Sequence, residues 1–240
     1  MEINCLHFEC LDSTNTWAKE NYKSFDPTKL TLVIADQQKA GRGRYKRQWL
    51  SSGEKNVHAT FTFFLDHGRK DIGNIGQIAA LSVIKTLKEF EFTGFLKWPN
   101  DIQLNRKKVG GILCETVTNE NNIIVIVGIG ININMPLETL EKINQPATSW
   151  VVERDEKFDI KQVLNKLQGH FAYDIDLFLK QGFQMFLEDY KKHIIHKKDD
   201  ILVIDQQKGY FHSIDNDGTL IMTLANGREQ KFSAGEIEQG

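Results

Sequence analysis

Residues 94–134 read GFLKWPNDIQLNRKKVGGILCETVTNENNIIVIVGIGININ, and their pattern sets the architecture. Residues 94–98, 102–104, 111–116 and 123–133 are short runs rich in apolar and β-branched side chains, which is strand chemistry. The stretches 102–104 and 109–116 flank the polar turn Asn105-Arg106-Lys107, so the chain folds back there as a hairpin. Pro99 biases Trp98 towards an extended backbone. Upstream, residues 30–35 (LTLVIA) and 57–65 continue the strand pattern. Residues 75–90 switch to helical spacing, with Ile75, Ile78, Ala79, Val83, Leu87 and Phe90 on one face. Residues 160–190 repeat that spacing through Ile160, Val163, Leu164, Leu167, Phe171, Ile175 and Phe178, and Gly182 breaks the helix. Asp12-Ser13-Thr14-Asn15 reads first as a cap for a helix behind it.

Beyond Tyr190 the pattern changes. Residues 201–204, 210–214, 220–224 and 230–232 are short strands, with Asp217-Gly218 and Asn226-Gly227 as turns between them. Several strands with tight turns in so short a stretch form a small barrel. We therefore expect two domains, residues 1–191 and 192–240. The second holds six Lys and Arg against eight Asp and Glu, which weighs against a nucleic-acid barrel. His193 and His196 sit in the connection and lack a third ligand, so they read as an exposed linker rather than a metal site.

The whole chain is 240 residues with 30 Lys and Arg against 32 Asp and Glu, a net charge of −2. That balance excludes a protein that coats nucleic acid or a membrane surface, while leaving room for a local basic site. The longest apolar run, residues 123–131, is far shorter than the roughly 20 residues of a membrane helix. The N-terminus carries Glu2, Glu9 and Asp12 and is no signal peptide. Cys5, Cys10 and Cys114 form neither a disulfide framework nor a zinc pattern; they read as small core side chains of a cytoplasmic protein.

Four segments carry candidate chemistry. Gly41-Arg42-Gly43-Arg44-Tyr45-Lys46-Arg47-Gln48-Trp49 places four cations near two glycines. An anion such as phosphate would offset their repulsion and order the loop, although alone it reads equally as a solvated basic turn. It is neither a P-loop nor a dinucleotide fingerprint. Lys97 and Asp101 flank the rigid turn Trp98-Pro99-Asn100: a lysine neutralises phosphate, and a strand-end carboxylate shares Mg²⁺ with it. Lys108 precedes Gly110-Gly111, and a glycine inside a strand marks a bulge or a close ligand approach. Gly128 and Gly130 within residues 128–134 read equally as a close ligand approach or as glycines packed within a buried strand, with Asn132 offering an amide. No nucleophile elbow or triad spacing is present. The excess of cations near glycines points to an anionic ligand, a nucleotide, handled without covalent enzyme chemistry.

Taken in order, DSTN, QQKAGRGRYKRQW, KWPNDI, KKVGGILCE, GIGININ and the terminal SAGEIE resemble the biotin protein ligase family along nearly the whole chain. The resemblance implies an α+β fold: a mixed-sheet catalytic domain of the biotin/lipoate-ligase type followed by a small SH3-like β-barrel. It implies that biotin attacks the α-phosphate of ATP, with Mg²⁺, to give biotinyl-5′-AMP. A lysine of a biotin carboxyl carrier protein then takes the acyl group. By the same resemblance Ser13, Thr14, Asn15, Gln38, Gly41, Arg42, Gly43, Arg44, Lys108 and Gly111 bind biotin. Arg44, Arg47, Trp49, Lys97 and Asn132 serve ATP, Asp101 holds the metal, and Arg44 and Lys108 act on the reacting centre.

The family loop reads GRGRxGRxW, whereas Lys46 stands here for its third glycine. The roughly ten residues before DSTN are too few for the helix-turn-helix domain of relatives that repress transcription. The expectation is thus a cytoplasmic ligase, monomer or homodimer, with no DNA or membrane partner. The rivals are a lipoate-type ligase or acyltransferase of the same fold and a biotin or nucleotide sensor without transfer activity. The GRGR…R-x-W loop and the GEI segment favour biotin.

Overall fold

The hairpin at residues 105–107 forms in the computed structural model, which describes residues 1–51, 53 and 55–238. Asn105 and Arg106 make its two-residue turn with left-handed φ of 48° and 62°, the backbone that matches strand twist. The chain runs β1 (Ile3–Leu11), α1 (Thr14–Asn21), β2 (Leu30–Gln38), β3 (Asn56–Leu65), α2 (Ile75–Glu89), β4 (Phe95–Lys97) and β5 (Asp101–Leu104). Next come β6 (Lys107–Thr118), β7 (Ile123–Asn132), α3 (Leu137–Leu140), α4 (Trp150–Arg154), α5 (Ile160–Gln181) and α6 (Leu187–His193). Strands β8 (Ile201–Ile204), β9 (Gln207–Ile214), β10 (Leu220–Leu224), β11 (Glu229–Phe232) and β12 (Ile237–Glu238) complete it.

Strands β1 to β7 make a mixed sheet in the order β1-β2-β3-β7-β6-β5-β4. Only the β1–β2 pair is parallel; the other neighbours are antiparallel. Strand β7 lies at the centre, and its alternation explains both layers. Val125, Val127, Ile129 and Ile131 join the main core with α2 and α5, while Ile124 and Ile126 join the cluster built on Ala18 of α1. Each such side chain contributes about 1.5–3 kcal/mol on burial. Gly128 and Gly130 continue the series on the α1 side, where the absence of side chains leaves room above the sheet.

Helix α5 keeps the expected apolar stripe but also buries Asp174, which accepts from Ser82 Oγ at 2.8 Å and pairs with Lys85 at 2.6 Å. Gly182, with φ +77°, ends the helix where the sequence places the break.

Strands β8 to β12 form a five-stranded antiparallel sheet in the order β11-β10-β9-β8-β12, the small barrel expected. Its apolar residues Leu202, Ile204, Phe211 and Leu220 belong to the same continuous core as the main sheet. The Asp217-Gly218 turn docks on α2: Asn74 Nδ2 donates to the Asp217 carbonyl at 2.8 Å and Gln77 Nε2 to that of Gly218 at 2.7 Å.

Three expectations need correction. The cysteines are exposed rather than core: Cys5 and Cys10 lie on β1, an edge strand, and Cys114 on β6. The connection holding His193 and His196 is not a free linker, because Ile194 bridges Leu96 and Ile195 N–H donates to the Leu96 carbonyl at 2.9 Å. His196 packs on Phe211, and burial pushes its imidazole down to about 4. Strand β2 also runs to Gln38, three residues past the expected strand at residues 30–35.

Candidate active site

A cavity of about 710 Å³ opens on the α1 side of the sheet, within the usual size for a small-molecule site. At one end lies a neutral polar cluster. Ser13 caps α1, accepting weakly from Thr16 N–H at 3.5 Å. Gln38 Oε1 accepts from Thr14 N–H at 2.8 Å and Thr14 Oγ1 at 3.2 Å. The Thr60 hydroxyl sits 2.8 Å from Thr14 Oγ1 and 2.7 Å from Asn15 Oδ1. Asn15 Nδ2 donates to the Leu113 carbonyl and to Glu115. Capping and pocket lining therefore fall on the same residues.

The cavity wall is also rich in cations. Arg42, Arg44, Arg47, Lys97, Lys108 and Lys142 line the cavity against only Asp101 and Glu236 among its carboxylates. Three of these cations are paired. Arg42 meets Glu115 at 3.4 Å, Arg47 makes a two-pronged pair with Glu236, and Lys108 meets Asp101 at 2.7 Å. Arg44, Lys97 and Lys142 have no ion pair among the described residues. Arg44 Nη1 instead donates to Asn100 Oδ1 at 3.2 Å and to the Gly235 carbonyl at 2.9 Å. Burial pulls the Lys97 ammonium below the usual lysine range, opposed by Asp101 and Glu236. Sequence reading missed Asn100, Glu115 and Glu236, which are single polar residues brought in by folding.

Local backbone explains these placements. In the β5–β6 ladder Ile102 faces Gly110 while Gln103 faces Lys108, so Val109 is an extra, bulged residue. Bulges re-aim a neighbouring side chain, here Lys108. The strap at residues 146–148 holds Lys108 on both sides, through Lys108 N–H to Pro146 at 2.9 Å and Thr148 N–H to the Lys108 carbonyl at 2.8 Å. The Trp98–Pro99 peptide between Lys97 and Asp101 is cis.

The glycines of residues 128–134 serve side chains of the protein itself. A Cβ on Gly130 would lie 2.7 Å from the Trp49 ring, and one on Gly128 would strike Asn15. Trp49 thus lies flat over Gly130, with Lys108 Nζ 5.8 Å from its ring. Gly130→Ala should cost about 1–3 kcal/mol of stability through overpacking. It should raise the KM for a nucleotide substrate more than that for its acid partner; denaturant melts and initial rates measure both.

Gly43 and Gly111 line the cavity, whereas Gly41 does not; it sits against Trp49, whose N–H donates to its carbonyl at 2.8 Å. Asn132 lines the cavity but spends its amide N–H on the Thr148 carbonyl at 3.1 Å.

Lys46 adopts a left-handed backbone of the kind glycine favours, with φ 61° beside Tyr45 at 52°, and does not line the cavity. Lys46→Gly should relieve about 1 kcal/mol of left-handed strain and leave the ATP KM within about twofold, as for a surface change. A tenfold rise in that KM would mean that Lys46 contacts phosphate.

Magnesium takes oxygen donors and usually shares one or two carboxylates with substrate phosphates. Asp101 beside Glu236 fits an ion brought in by a triphosphate. Among the described residues no three His, Cys, Asp or Glu converge as an all-protein metal cage.

A mixed sheet carrying a cavity lined by six cations and by uncharged polar side chains defines a protein whose site suits a small anionic ligand. The profile of the Biotin/lipoate A/B protein ligase family matches residues 7–132. The bifunctional ligase/repressor BirA of Bacillus subtilis is 30% identical, over 100% of this chain and 75% of its own length. The biotin–[acetyl-CoA-carboxylase] ligase of Paracoccus denitrificans is 28% identical, over 85% of this chain and 88% of its own. Among solved structures, the biotin protein ligase of Aquifex aeolicus in complex with biotin and ATP superposes with a TM-score of 0.80 at 27% identity, covering 98% of this chain and 97% of that one. The chain belongs to the Biotin/lipoate A/B protein ligase family.

Proposed function

We propose that this chain activates biotin with ATP and transfers it to a lysine of a biotin carboxyl carrier protein. The observation that carries this reading is one cavity lined by six cations against two carboxylates and, in the same wall, by the uncharged polar side chains Ser13, Thr14, Asn15 and Gln38. A carboxylate approaching a triphosphate faces like-charge repulsion of about 4 kcal/mol per pair at 4 Å and an effective dielectric near 20. Fixed cations offset it and stabilise the charge that develops in transfer.

In the first step a biotin carboxylate oxygen bonds to the α-phosphorus of ATP, and the bond to the bridging oxygen breaks with release of pyrophosphate. Lys108 and Arg44 lie at the reacting phosphate, and Lys97 balances the leaving pyrophosphate. Arg47 serves the phosphates once they displace Glu236, and Trp49 covers the adenylate. Asn132 borders the nucleotide. Ser13, Thr14, Asn15, Gln38, Arg42, Gly43 and Gly111 border biotin. Asp101 would hold Mg²⁺, which screens the triphosphate. In the second step the neutral carrier amine attacks the acyl carbon, giving an amide and AMP. We take residues 1–191 as the catalytic unit and residues 192–240 as the barrel domain, whose Glu236 lines the cavity and whose Gly235 carbonyl accepts from Arg44. No helix among the described residues is long and apolar enough to cross a membrane.

The test mixes purified protein, biotin, Mg-ATP and a carrier domain and weighs the carrier by mass spectrometry. An ATP-dependent gain of one biotin is expected. Biotin binding without pyrophosphate release would make the chain a sensor. Competition by lipoate in place of biotin would move it to the lipoate branch of the family.

A further inference from the structure

His58 is a titratable side chain in the cavity wall that the proposed reaction leaves unused. It stands on β3 opposite Gly130 of β7, on the face that also carries Thr60. It lines the cavity at 2% exposure. The β2–β3 ladder ends at the pair Ile34–Ala59, and just beyond it the His58 ring reaches across to β2, with Nδ1 3.3 Å from the Ala35 carbonyl. A carbonyl only accepts, so Nδ1 carries the hydrogen. Burial pushes the imidazole down to about 4, so at neutral pH the ring is uncharged and Nε2 holds a lone pair. That atom is buried and has no partner among the described residues.

A buried acceptor without a donor is destabilising, and of the buried unpartnered side-chain atoms among the described residues only those of Trp49 and His58 belong to residues lining the cavity. The groups nearby complement it. Gln38 Oε1 is consumed by Thr14, which fixes the amide so that its Nε2 is the donor. Trp49 Nε1, against Gly130, is a second buried group without a partner among the described residues, so this part of the wall holds the Gln38 donor, an unmet indole donor and one unmet acceptor.

We propose that the Nε2 lone pair of His58 accepts a ureido N–H of the acid substrate and thereby selects a cyclic urea over a dithiolane or a plain alkyl acid. This rests on the reading of biotin as substrate. A urea presents one carbonyl acceptor and two N–H donors, matching the donor on Gln38 and the acceptor on His58. A dithiolane presents no N–H and leaves Nε2 buried and unmet. Sites built around such a hydrogen bond reject ligands that lack it far more strongly than sites differing by a methylene.

The test is calorimetric binding to the full chain of biotin, of its two mono-N-methylated ureido analogues, and of lipoate. Wild-type protein should bind biotin and lose about 100-fold or more on methylation of one particular nitrogen. His58→Phe should bind biotin about 10- to 100-fold more weakly, bind that analogue nearly as wild type does, and keep its ATP affinity. His58→Asn, which returns a short acceptor, should recover part of the loss. In wild-type protein labelled with ¹⁵N-histidine, the His58 Nε2 resonance should shift on adding biotin, a readout that needs no variant. Equal losses for biotin and the analogue in His58→Phe, or an unmoved Nε2 resonance, would overturn the assignment while leaving biotin as substrate. Failure of the wild-type protein to bind biotin, or preferential binding of lipoate, would overturn both.

Discussion

Lys108→Gln should lower biotin-dependent pyrophosphate release about 10²- to 10³-fold, with the protein still folded. Lys108 Nζ sits 2.7 Å from Asp101, with its side chain 17% exposed, and the bulge at Val109 together with the strap at residues 146–148 fixes its backbone. A preorganised cation at developing charge contributes several kcal/mol in such a site, because no reorganisation is needed at the moment of reaction. Gln keeps the length and polarity and removes the charge. It also leaves Asp101 without its counter-ion, so part of the loss belongs to a stranded carboxylate. Lys108→Gln combined with Asp101→Asn separates the two. If the double variant recovers, the ion pair matters chiefly for keeping Asp101 in place; if it remains as slow as Lys108→Gln while Asp101→Asn alone is faster, the charge on Lys108 is what the reaction needs. Supplying preformed biotinyl-5′-AMP to Lys108→Gln shows whether acyl transfer is slowed as well. Wild-type pyrophosphate release in Lys108→Gln would remove the residue from the reacting centre.

The parts of this molecule that are legible in its sequence are those whose signal is local. The β7 run is apolar on both faces because both are covered, and the two-residue turn of the β5–β6 hairpin has flanking strands that declare it. The cationic loop and its glycines stand together in the chain, so composition alone exposes them. Strand β1 is not legible: its residues are half-buried or exposed, and it exists because parallel pairing with β2 completes its ladder. Strand β12 is two residues long and depends on β8 in the same way. The glycines of β7 are legible only as a choice between ligand approach and packing, and it is Trp49 and Asn15 that pack against them. Glu236, 189 residues from Arg47, and Glu115, 73 from Arg42, are ordinary acidic residues until folding sets each beside a cation. His58 looks like any β-strand residue until its buried nitrogen is seen to lack a donor.

Arg44→Gln should give the second large loss, about 10²-fold in adenylate formation, together with a looser loop at residues 42–48. Of the three arginines lining the cavity, Arg42 and Arg47 are already held by carboxylates, and Arg44 is held by neutral oxygens alone. Its charge is therefore available to a phosphate without first breaking an ion pair. Its Nη1 also ties the loop to the Gly235 carbonyl of the barrel tail, so the same substitution frees the loop. Hydrogen exchange across residues 42–48 reports the tether, and pyrophosphate release reports the charge. Arg44→Lys distinguishes them, because lysine restores a point charge without the planar fork. We expect Arg44→Lys to recover most of the rate and little of the exchange protection. If it recovered protection but no rate, the fork would be positioning the phosphate rather than merely neutralising it. If Arg44→Gln left the rate untouched, the cavity's charge requirement would fall on Lys97 and Lys108 alone, and Arg44 would be a strut between loop and barrel.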